Sequence, residues 1–107
     1  MIFLRLLYWL GNHSCSLVKV RWKGKYGYVD SNGHWVIAPC FEMAHHFSEG
    51  LAAVRIDGKW GYVDTLGTMV VAPQFDSAEE FHEGLAKVVL QGHKTYIFPS
   101  GKVLGGA

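Results

Sequence analysis

The sequence predicts an all-β chain built from tandem repeats, and three observations carry that expectation. Laid on itself at an offset of 34, the 107-residue chain matches over a whole unit, residues 24–57 against 58–91. Within each unit, glycine-containing turn signals separate short runs rich in Val, Ile, Tyr and Trp, the side chains that suit a pleated backbone. No stretch sustains a 3.6-residue apolar period for two turns, which removes the helical tetratricopeptide alternative of the same length. Each unit is therefore expected to be a three-strand antiparallel meander followed by a short helical or 3₁₀ connector. The periodicity leaves open whether the strands form a solenoid, a closed barrel or an open sheet.

Composition narrows the function classes. Ten Lys and Arg stand against nine Asp and Glu, half of the residues are apolar and 18% are charged. That suits one small domain with a real core and excludes disorder. The basic residues are scattered singly, so no nucleic-acid partner is expected. Cys15 and Cys40 are too few for a disulfide scaffold and lack zinc-site spacing. No cofactor is implied.

Residues 1–16 match neither unit. Met1 to Leu10, MIFLRLLYWL, is almost wholly apolar, but a bilayer span needs about 20 such residues and Arg5 interrupts this run. It lacks the basic start and small-residue cleavage site of a secretory signal. It reads as an atypical apolar segment or cap with no membrane span, and a cytoplasmic location is favoured over secretion. The triplet Asn12-His13-Ser14 fits a glycosylation site, which matters only in a secreted chain.

The repeat domain is expected to cover residues 17–107. Residues 17–23 are the last strand of a partial unit, 24–57 and 58–91 are full units, and 92–107 form a degraded terminal unit. In the second full unit Leu51 to Ile56 reads as a strand, Asp57-Gly58 as a hairpin turn and Lys59 to Asp64 as the next strand. Gly67 turns the chain into Thr68 to Ala72, and Pro73, lacking an N–H, is expected to stop that strand. Phe41, Ala44 and Phe47, like Phe75, Ala78 and Phe81, recur at every third residue, the basis for the helical or 3₁₀ connector. Gly27 lies between Tyr26 and Tyr28, and Gly61 between Trp60 and Tyr62; an aromatic ring on the adjacent strand is expected to use the missing side chain.

In these residues the chain resembles the WG-repeat family, β-repeat proteins found mostly in bacteria. The family pattern stands here as GKYGYVD and GKWGYVD, then APCFEMAHHFSEGLA and APQFDSAEEFHEGLA. The resemblance covers residues 17 to 104; the terminal unit lacks the Trp-Gly pair and the first full unit has Tyr26 in place of Trp. It implies a scaffold or interaction module without a shared enzymatic activity or cofactor.

Eighteen of the 34 aligned positions are identical between the full units, and the differences gather in the connectors. Identical positions serve the shared fold, whereas differing ones are free to specialise. Cys40, Glu42, Met43, His45, His46, Asp76, Glu79, Glu80 and His82 are therefore the candidate interaction surface, and a protein partner is expected. The alternative is a glycan or cell-envelope binding module that uses the repeat aromatics. His34, Cys40, His45 and His46 can be drawn as a metal or Cys-His site. Adjacent histidines diverge, though, and the second unit keeps none of the four, so neither a metal nor a catalytic site is expected.

Overall fold

The structure is a computed structural model and describes residues 17–105, so the cap, the glycosylation triplet and Cys15 lie outside the described residues. Among the described residues ten strands follow one another: β1 Val18–Trp22, β2 Lys25–Val29, β3 Trp35–Phe41, β4 Met43–Ala44, β5 Leu51–Ile56, β6 Lys59–Asp64, β7 Met69–Phe75, β8 Ser77–Ala78, β9 Ala86–Leu90 and β10 His93–Ile97. They make three antiparallel sheets, β1-β2-β3, β4-β5-β6-β7 and β10-β9-β8, called A, B and C below.

Two-residue turns fix the hairpins. At Lys23-Gly24, Asp57-Gly58 and Gln91-Gly92 both residues have positive φ, the backbone that matches the right-handed strand twist. Glu49-Gly50 and Glu83-Gly84 are turns of the same kind, closed by backbone bonds between Ser48 and Leu51 and between His82 and Leu85. The EGL element is thus a hairpin turn followed by the start of a strand. The longer turns after β2 and β6 are tied by Asp30 and Asp64, each of which accepts two backbone N–H groups within four residues.

Three expectations change in detail. Pro73 does not stop its strand: β7 runs through it to Phe75, and β3 runs through Pro39 to Phe41. Trp60 pairs with Phe75 and Tyr62 with Val71, so Ala72, Pro73 and Gln74 bulge opposite the single residue Gly61. The proline sits where the ladder asks for no N–H. Gly27 and Gly61 are then required by backbone and not by a ring: a Cβ on Gly61 would strike the Val71 carbonyl oxygen and lie 2.8 Å from the Pro73 nitrogen. Finally, the connectors are extended, and the described residues contain no helix. Glu42 N–H donates to Arg55 O and His45 N–H to Ala53 O, so these connector donors pair with β5 and not within a helical turn.

A strand thus begins in one sheet and ends in the next: β3 leads through Glu42 into β4 at the edge of sheet B, and β7 through Asp76 into β8 of sheet C. Sheet B is apolar on both faces. Its Ala52, Val54 and Val63 pack with Tyr28, Ile37 and Phe41 of sheet A, and its Leu51, Ala53, Tyr62, Val71 and Phe75 pack with Ala86, Val88 and Ile97 of sheet C. This explains the unbroken apolar run Leu51-Ala52-Ala53-Val54, all buried. The result is an open stack of three sheets, each related to the next by one repeat.

Candidate functional site

The connectors owe their shape to anchors that recur in both units. Phe41 and Ala44, with Phe75, Ala78 and Phe81, are buried, while Phe47 is partly buried against the first core. Tyr28 and Tyr62 are wholly buried and reach under the connector from the middle strand. The Tyr28 hydroxyl donates to His45 O at 2.6 Å and the Tyr62 hydroxyl to Glu79 O at 2.7 Å. Each tyrosine ring also meets a connector phenylalanine edge to face, Phe47 at 4.7 Å and Phe81 at 4.9 Å between centroids. Burial raises the pKa of both hydroxyls, which keeps them protonated and donating. The carbonyls of His45 and Glu79 are consequently fixed, with the Glu79 side chain exposed and that of His45 partly buried.

The nine candidate residues divide into two groups on this frame. Glu42 and Asp76 hold the fold: Glu42 accepts the N–H groups of Asp57 and Gly58 and lies 3.5 Å from Arg55 Nε. Asp76 accepts the Lys59 ammonium at 2.7 Å and the Gly92 N–H at 3.0 Å, which lowers its pKa, the lysine contributing most. Each acid thus ties its connector to the following hairpin turn. The others are free of such duties. Met43, His46, Glu79, Glu80 and His82 are exposed, as is Cys40, whose thiol is shifted up by partial burial despite Lys25 nearby and is therefore a poor nucleophile. Partly buried His45 stacks on Trp60, ring centroids 5.0 Å apart and planes 19° apart.

Trp60 therefore belongs to the surface, a contact that a one-dimensional sequence comparison misses because Trp60 lies in β6 and His45 in the connector, fifteen residues earlier. Ser48 is also a structural residue, its hydroxyl donating to Phe81 O at 2.6 Å in the next connector. His34 lies in the turn after β2, its imidazole 3.9 Å from Asp30. Among the described residues no three His, Cys, Asp or Glu side chains are grouped to hold a metal ion.

The WG containing repeat, as a family model, matches residues 26–60 and 60–92, well over half of the chain. The chain belongs to the WG-repeat family. No curated protein and no solved structure matches it significantly. The Trp-Gly pair of the WG repeat has a plain physical meaning here: Gly61 admits the bulge of β7, and Trp60 beside it faces the preceding connector at His45. In the terminal stretch Lys94-Thr95 replaces this pair, and the family match ends at residue 92.

Proposed function

We propose that this chain is a non-enzymatic interaction or scaffolding module whose WG-repeat connectors carry its specificity. One observation supports the reading: the connector backbone is fixed by tyrosine hydroxyls and phenylalanine anchors identical in both units, while the outward residues differ. Cys40, Met43, His45 and His46 give the first connector a soft, imidazole-rich face. Glu79, Glu80 and His82 give the second an acidic one. A rigid frame with unlike side chains at matched positions is how repeat proteins diversify their binding surfaces. Binding of a protein partner at such a surface needs little backbone ordering, so affinity is decided by these few side chains.

The test replaces residues 40–48 with the sequence of residues 74–82 and compares wild type and swap by cross-linked capture from cell fractions. A partner held by the wild type and lost by the swap supports the reading; a partner held equally by both removes the connectors as its basis. Glycan binding rests on the accessible aromatics. With Tyr28 and Tyr62 wholly buried, it depends on Tyr26, Trp60 and Tyr96. Retention of both proteins on envelope material, abolished by Trp60→Ala, would favour it.

A further inference from the structure

The two contacts between sheets, A to B and B to C, are one interface used twice. On the side toward the N-terminal end, each uses a Leu and a Tyr: partly buried Leu17 just before β1 with buried Tyr28 of sheet A, and buried Leu51 and Tyr62 of sheet B. On the other side each presents matched residues: Ala52, Val54, Ile56 and Met69 against sheet A, and Ala86, Val88, Leu90 and Val103 against sheet C's neighbour, sheet B. Both halves of this interface recur on the outer faces of the stack. The outer face of sheet C carries Leu85 and Tyr96, and Tyr96 is 46% exposed where its counterparts Tyr28 and Tyr62 are at 0%. The outer face of sheet A carries Val18, Val20, Trp22 and Trp35 at the positions of Ala52, Val54, Ile56 and Met69; Val18, Trp22 and Trp35 are 52%, 56% and 43% exposed.

One polar contact also crosses from sheet B to sheet C. The Glu49 carboxylate accepts the N–H groups of Glu83 and Gly84, one repeat on. Glu83, the equivalent acid, has a side chain 85% exposed at the sheet C end. The bulk at the two ends is complementary as well. The sheet A face has Trp22 and Trp35 where the internal interface uses Ile56 and Met69, and the sheet C face has Gly105 where it uses Ile37.

We infer that copies of this chain stack head to tail, the outer face of sheet C in one copy receiving the outer face of sheet A in the next. A contact between two different surfaces is heterologous and does not close on itself as a two-fold dimer does, so assembly grows with concentration. Inside the chain the connector phenylalanines Phe47 and Phe81 complete the cover over Tyr28 and Tyr62, whereas no connector follows Tyr96 among the described residues; the inference does not depend on the function proposed for the outward side chains of the connectors.

Sedimentation equilibrium of the full chain from micromolar to millimolar concentration tests the inference, with two double variants at exposed positions. One blocks the sheet A face, Val18→Lys with Trp35→Lys. The other blocks the sheet C face, Glu83→Lys with Tyr96→Lys; Lys23 already occupies the turn position equivalent to Asp57, so lysine is compatible with positive φ. The wild type is expected to at least double its weight-average mass. Each variant alone should stay monomeric with an unchanged circular dichroism spectrum, and an equimolar mixture should form a one-to-one dimer through the remaining intact pair of faces. A wild type that stays monomeric throughout overturns the inference. Folded variants whose mixture does not associate overturn it too, since any wild-type association would then be of another kind.

Discussion

A Cβ placed on Gly61 lies 2.8 Å from the Pro73 nitrogen and 2.9 Å from the Ala72 carbonyl carbon, backbone atoms that cannot rotate away as a side chain does. Gly61→Ala should therefore cost about 1–3 kcal/mol, and the larger Gly61→Val at least as much, read as a lowered thermal midpoint. A melting curve equal to wild type would refute the bulge as the reason for this glycine. At Tyr62, removal of the hydroxyl leaves the Glu79 carbonyl without its donor. Tyr62→Phe should lose about 1–2 kcal/mol while keeping the ring packing on Phe81. The same hydroxyl sets an alkaline limit. Its pKa is raised in the folded protein, so its contribution is complete below the ordinary tyrosine value of about 10 and is lost as pH rises beyond it. Urea midpoints followed from neutral pH upward should fall above that value in the wild type, and fall less steeply in Tyr62→Phe.

The connector joins these residues into an element, and here the sequence was legible only in part. Repeat length, turns and anchors followed from the pattern, because glycine at positive φ and buried aromatics each leave a local signature. The threefold spacing of Phe41, Ala44 and Phe47 suggested a helical turn because spacing records which residues are buried and says nothing of where the backbone N–H groups go. They go to β5, a strand formed after the connector, so the deciding partner is non-local. For the same reason Glu42 and Asp76 looked variable: they differ by one methylene, yet both carboxylates accept hairpin N–H groups more than ten residues away. Asp76 supplies the test at this scale. Its pKa is held down first by Lys59 and then by the Gly92 N–H, so its stabilising contribution is present above the ordinary aspartate value of about 4 and is lost as pH falls through its lower folded value. In Lys59→Met the first cause is gone, and the Asp76 carboxyl followed by NMR should titrate at a higher pH than in wild type. An unmoved titration would mean that the lysine does not reach the acid in solution.

At the scale of the molecule, the 34-residue period gave away the stacking unit but not the stack, since solenoid, barrel and open sheet share one periodicity. What distinguishes them is the middle of sheet B: β5 is hydrogen-bonded to β4 and β6, β6 to β5 and β7, and each is packed on both faces. By contrast, among the described residues β1 pairs with β2 alone and β10 with β9 and a single bridge to Val103, and they carry the exposed Val18, Trp22 and Tyr96. In a linear array stability is a sum over units and their contacts with neighbours, so the interior must open last. Native-state hydrogen exchange at low protein concentration should then find the slowest amides in β5 and β6, with β1 and β10 exchanging through smaller openings whose rates depend weakly on denaturant. Glu49→Ala should widen that gap on one side only. It removes the two bonds to Glu83 and Gly84, costs about 1 kcal/mol, and loosens sheet C while leaving sheet A unchanged. Equal protection in all strands would show the three sheets to be one cooperative block, and the repeat contacts to be too strong for any end to open by itself.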